Sequence, residues 1–170
     1  GYSAQEYQQF RGAAAYFGQA VRGLGGQTAL LYGSTVPEPD ARTRTGWRVY
    51  NAAMLWLPSG VPLLTRQNKV HPAPFGEYLP GFAPGDAPPA LKQWFPHLVD
   101  TSAGDTRYLF DLPVTKRDGS PVRFAVVICN ESALPGTAGV FERDPASIRG
   151  ADFVAVMANE GSFGRSELSR

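Results

Sequence analysis

Three stretches of the sequence carry side chains with the right types and spacing for covalent chemistry. An apolar run from Phe124 to Ile128 ends at Cys129, and Asn130, Glu131 and Ser132 follow at once. A thiol where a buried strand enters a tight turn is rigidly held, with backbone N–H groups nearby to face an oxyanion, so Cys129 fits a nucleophile. It fits an inert core cysteine as well, because free cysteine is among the most buried residue types. The second stretch, KVHPAPFGEYLP from Lys69 to Pro80, sets a lysine, a histidine and a glutamate beside an aromatic ring. Lys69 could stabilise negative charge on a tetrahedral intermediate, His71 could serve as a base, and Glu77 could orient the lysine. Each has an ordinary counterpart: a solvated lysine, a hydrogen-bonding histidine, a glutamate that caps its loop. The third stretch is NEGSFG, Asn159 to Gly164, where two glycines surround polar and aromatic residues. It fits a backbone that approaches a ligand closely, or a plain turn.

The elements that must position these groups follow from periodicity. Pro72, Pro74 and Pro80 remove backbone donors and bias their predecessors toward extended geometry, so the lysine stretch is a loop. From Tyr7 to Leu24, Phe10, Ala14, Phe17, Val21 and Leu24 recur at helical spacing and stop at Gly25-Gly26. Thr28–Val36 reads as a buried strand, PEPDARTRTGW as a polar turn region, and Arg48–Leu57 as another strand. Pro58-Ser59-Gly60 turns the chain into Val61–Gln67, a hairpin. A short helical turn is expected at Ala90–Trp94, and strands at Thr106–Val114, Val122–Cys129 and Ala151–Ala158. A loop with one short helix fills Glu131–Gly150. One helix followed by several continuously apolar strands predicts a layered α/β domain with a buried sheet.

Composition narrows the function classes. At 170 residues the chain is one domain's worth, and a net charge of +1 gives no electrostatic reason for nucleic acid as a partner. With one cysteine and two histidines, His71 and His97, neither an intrachain disulfide nor a zinc site is expected. The apolar runs Ala52–Leu57 and Phe124–Cys129 fall far short of the roughly 20 residues that span a bilayer. The first residue is Gly1 rather than methionine, so a fragment or processed product is expected.

Taken together, a strand, Lys69 and PFGEY, then a strand with Cys129 and Glu131, then a strand with Asn-Glu-Gly-x-Phe-Gly, resemble the order found in the carbon–nitrogen hydrolase (nitrilase) superfamily. Within it, KVHPAPFGEYLP resembles the lysine loop of the apolipoprotein N-acyltransferase family, and YNAAMLWLPSG and TALLYGS also look like that family's catalytic domain. The resemblance implies a nitrilase-type α-β-β-α sandwich, incomplete here, with residues 1–170 as a partial domain. It implies a cysteine–lysine–glutamate triad in which Cys129 forms a thioester with a phospholipid's acyl chain and Lys69 stabilises the oxyanion in a shared pocket. Glu77 and Glu131 match two supporting glutamates, and His71, Phe75, Asn130, Asn159 and Phe163 are expected around the pocket. The acceptor implied is the N-terminal amine of a diacylglyceryl-cysteine lipoprotein. No cofactor or metal is implied. The expected location is the bacterial inner membrane, the catalytic domain on the periplasmic side, with membrane association through segments outside this chain.

The sequence departs from the family pattern in places. The triad glutamate aligns a few residues before Gly1, and Glu6 and Glu38, the nearest substitutes, read as structural, one opening the helix and the other in a turn. Asn130 stands where tyrosine is common, and Ser162 where tryptophan is common. A soluble amidase or carbamoylase of the superfamily, and an inactive homologue, are the alternative readings.

Overall fold

A computed structural model of the chain describes residues 4–95, 98, 100–134 and 151–158. Helix α1 spans Ala4–Gly23 and ends just before Gly25 and Gly26, whose φ values of 79° and 74° lie in the left-handed region that stops a helix. Its apolar stripe brings Phe17 and Val21 down on the first sheet. Phe17 packs on Tyr32 with ring centroids 4.2 Å apart, and Val21 joins Ala52, Met54 and Trp56 in one cluster.

That first sheet has the order β1-β2-β3, with β1 at Leu30–Pro39, β2 at Trp47–Trp56 and β3 at Pro62–Asn68, all antiparallel. The sequence places Pro37–Pro39 in a turn, but the strand runs through them, with Pro37 opposite Val49 and Pro39 opposite Trp47. Proline lacks the N–H that a central strand needs, and β1 has no described neighbour beyond β2, so both prolines are tolerated there. Glu38 consequently lies in a strand rather than a turn.

The second sheet has the order β4-β5-β6. In it, β4 (Leu109–Thr115) runs antiparallel to β5 (Pro121–Ile128), while β6 (Phe153–Met157) runs parallel to β5. The four-residue helix α2 covers Pro89–Lys92, where the sequence expects a helical turn. The expected loop and helix at Glu131–Gly150 fall largely outside the described residues.

Strand alternation explains the layering. On β2, Ala52, Met54 and Trp56 face α1, while Ala53 and Leu55 face the other sheet, so both sides are buried. On β5, Phe124, Val126 and Ile128 meet Ala53, Leu55 and Phe110 between the sheets. Each buried Leu, Val, Ile or Phe side chain there contributes about 1.5–3 kcal/mol of transfer free energy. Helix, sheet and facing sheet thus stack in order around cores on either side of β2. The stretches after β3 and after β5 both leave this rigid stack, and they carry the candidate chemistry.

Candidate functional site

Lys69 directly follows β3. Its N–H donates to Asn51 O at 2.8 Å and its carbonyl accepts from Gly104 N at 2.7 Å, so its backbone is pinned from two sides. The side chain is 1% exposed, and Nζ donates to Glu77 Oε2 at 2.5 Å. A buried ammonium is tolerated only when paired and hydrogen-bonded. The partner is itself well held: Glu77 Oε1 accepts from Asn51 Nδ2 at 2.8 Å, and Oε2 also accepts from Ala73 N at 2.5 Å. Glu77 O accepts from Thr101 N at 2.6 Å. The prolines keep this loop irregular, so its N–H groups are free to be spent on side chains rather than on a ladder.

Cys129 stands one residue beyond β5 and begins a short 3-10 helix, Cys129–Ala133. Its φ is +56°, an uncommon value for a residue with a Cβ and one often found at functional turns. The side chain is half-buried and packs against the inter-sheet cluster, while its carbonyl accepts from Ser132 Oγ at 3.0 Å. Two residues on, Glu131 is 0% exposed. Its Oε1 accepts from Val70 N and His71 N, each at 2.9 Å, and its Oε2 from Ile128 N at 3.1 Å. One carboxylate therefore joins the turn that carries Cys129 to the loop that carries Lys69. Arg107 Nη2 lies 3.4 Å from Oε1 and supplies positive charge.

A pocket of about 480 Å³ opens beside this junction, lined by Val70, His71, Pro74, Tyr78, Thr101 and Asn130 among others. That size suits a small-molecule or chain-like ligand, since such pockets run to about 300–1,000 Å³. Its walls come from the immediate neighbours of Lys69 and Cys129, Val70 and Asn130, whereas neither Lys69 nor Cys129 lines it. Asn130 Oδ1 is buried without a hydrogen-bond partner among the described residues.

Of the expected pocket residues, His71 and Asn130 line this space. Phe75 does not. It is 58% exposed at φ +65° and stacks on Phe95 with centroids 5.8 Å apart. Asn159, Ser162, Phe163 and His97 lie outside the described residues. Of the two substitute glutamates, Glu6 lies in α1, and Glu38 accepts from Arg66 Nη2 at 2.6 Å. The described residues contain no group of three or more His, Cys, Asp or Glu side chains able to hold a metal, and no described helix is long and apolar enough to cross a membrane.

Sequence reasoning missed Asn51, Thr101 and Arg107. Asn51 left a signal, being the polar residue within the apolar run VYNAAMLWL. Thr101 and Arg107 left none: both reach the site from an irregular segment, and Arg107, expected in a strand from Thr106, lies before β4, which begins only at Leu109.

The two layered sheets, with a helix against the first, have a carbon–nitrogen hydrolase-type fold. The carbon–nitrogen hydrolase of Helicobacter pylori G27 superposes with a TM-score of 0.53 at 14% identity, covering 89% of this chain and 39% of that one. No family model matches the chain. By sequence it resembles the apolipoprotein N-acyltransferase of Chlorobaculum tepidum, to which it is 31% identical over 154 residues, 86% of this chain. The chain spans about a quarter (26%) of the length of that relative.

Proposed function

We propose that residues 1–170 are part of the catalytic domain of an acyltransferase that moves a fatty acyl chain from a phospholipid to the N-terminal amine of a diacylglyceryl-cysteine lipoprotein. The observation that carries this reading is the 31% identity to an apolipoprotein N-acyltransferase, spread over 154 residues that include the lysine loop and the cysteine turn. The carbon–nitrogen hydrolase fold is compatible with it and, taken alone, specifies no substrate.

In this reading Cys129 loses its proton to a general base, and its sulfur attacks the ester carbonyl carbon of the phospholipid. Lys69 faces the oxyanion that forms, at a position where Glu77 balances its charge and fixes its direction. Collapse breaks the acyl C–O bond, the base returns its proton to the departing oxygen, and the lysophospholipid is released, leaving a thioester on Cys129. The lipoprotein amine then attacks that carbonyl, the C–S bond breaks, the base carries the amine's proton to the departing sulfur, and an amide and the free thiol result. Splitting the transfer this way gives a ping-pong sequence. Glu131 holds the cysteine turn and the lysine loop in register, while His71, Asn130, Asn159 and Phe163 surround the substrate. The base is a glutamate other than Glu6 and Glu38. No cofactor, metal or nucleic acid takes part. The protein works at the bacterial inner membrane with this domain on the periplasmic side, anchored by segments outside this chain.

The test is acyl transfer by the full-length protein. Cys129→Ala is expected to abolish it, and Lys69→Met to lower kcat by about 10²–10³, the usual loss for one oxyanion donor. Undiminished transfer by Cys129→Ala would refute the mechanism.

A further inference from the structure

Glu131 sets a carboxylate in a place from which water is excluded. The backbone donors from Val70, His71 and Ile128 are dipoles rather than charges, and a carboxylate with no exposed surface is costly to bury without an opposite charge. The cation set against it is Arg107, whose side chain is only 7% exposed and whose Nη2 sits 3.4 Å from Oε1.

The position of Arg107 is built. Gln67, 1% exposed near the end of β3, donates from Nε2 to Thr106 O at 3.3 Å and accepts from Tyr108 N at 2.8 Å. It clips the residues on both sides of Arg107. Upstream, Thr101, Ser102 and Gly104 donate in turn to Glu77 O, Val49 O and Lys69 O. The whole segment from Thr101 to Tyr108 is stitched onto the first sheet and the lysine loop, and it delivers one guanidinium to the carboxylate that joins the two chemical loops.

We infer that Arg107 is a positioning residue: through Glu131 it holds the Cys129 turn and the Lys69 loop in their working register. This rests on the proposed roles of Cys129 and Lys69. A displacement of about 1 Å at a reacting group can lower the rate about 100-fold, so loosening this junction acts on the chemical step rather than on substrate capture.

The experiment compares Arg107→Met, Arg107→Gln and Arg107→Lys in the full-length protein, well below each variant's melting temperature and normalised to folded protein. Two rates are read: acyl-enzyme formation from phospholipid, and alkylation of the Cys129 thiol by iodoacetamide. Arg107→Met and Arg107→Gln are expected to lower kcat for acylation by about 10- to 100-fold with the KM for phospholipid almost unchanged, and to slow alkylation in parallel. Arg107→Lys keeps the charge and should recover most of both rates. If Arg107→Met does not fold, the contrast between Gln and Lys decides. Equal rates for Gln and Lys, or wild-type rates per folded molecule in Met or Gln, overturn the inference and mark a purely structural ion pair. If the wild-type protein acylates from no phospholipid, the acyltransferase reading fails instead, and the alkylation series still decides the role of Arg107.

Discussion

Replacing Glu131 by glutamine changes one oxygen to an NH₂ group and removes one charge, with almost no change in volume. The glutamate accepts from Val70 N, His71 N, Ile128 N and Arg107 Nη2. An amide has only one oxygen. Oriented to keep the two loop donors, it sets its NH₂ against Ile128 N–H, donor facing donor; turned the other way, it abandons Val70 and His71. An orphaned buried N–H costs about 1–3 kcal/mol. Arg107, 7% exposed, also loses the Glu131 charge beside it, and removing one partner of a buried pair costs about 3–5 kcal/mol. The two effects share the same atoms and do not add, so the expected loss is about 3–5 kcal/mol. For a domain of this size that lowers Tm by about 6–20 °C. Urea denaturation and calorimetry of wild type, Glu131→Gln, Arg107→Met and the double variant give the loss and the coupling. The double variant should be less destabilised than the two single losses summed, because both charges then leave together. A loss below about 1 kcal/mol for Glu131→Gln would show that the carboxylate is not the clamp described.

Other predictions concern the scaffold. Gly→Ala in an exposed helix ordinarily stabilises by up to about 1 kcal/mol, and Gly12, where a Cβ would meet nothing within 4 Å, should behave so. At Gly18 the sign reverses: a Cβ would lie 2.6 Å from Gly60 O in the β2–β3 turn, and a loss of about 1–3 kcal/mol is expected by denaturant titration. Asp40 is held down to about 2 from an ordinary 3.8, first by the side-chain hydrogen bond from Arg42. Because its folded-state value is lowered, its contribution to stability is present above pH 3.8 and fades as the pH falls through about 2. In Arg42→Ala the carboxyl titration followed by NMR should move back toward 3.8, and an unchanged midpoint would assign the effect to other contacts.

Much of this was legible because periodicity and burial agree. The helix was readable from Phe17 and Val21, which do sit on the sheet, and β2 and β5 from runs too apolar for a strand with a wet face. The lysine loop and the cysteine turn stood out because proline forbids regular structure in one and a polar triplet interrupts an apolar strand in the other. What escaped depends on tertiary placement. Pro37 and Pro39 read as turn residues locally, yet an outer strand absorbs them. Glu131 was expected to support the site, but its grip on Val70 and His71 through their backbone N–H groups has no trace in residue type. Arg107 is silent for the same reason: its placement is fixed by Gln67, forty residues away along the chain, and by the approach of two loops.

The most direct test of the central claim is the mass of the protein itself, taken after brief exposure to a phospholipid of defined acyl chain and quenching in acid without any amine acceptor. The mechanism requires a single added acyl group that maps to the peptide containing residue 129, is released by hydroxylamine, and disappears on adding a lipoprotein amine. An acyl group found on any other side chain, or efficient lipoprotein acylation with the sulfur never modified, would contradict it.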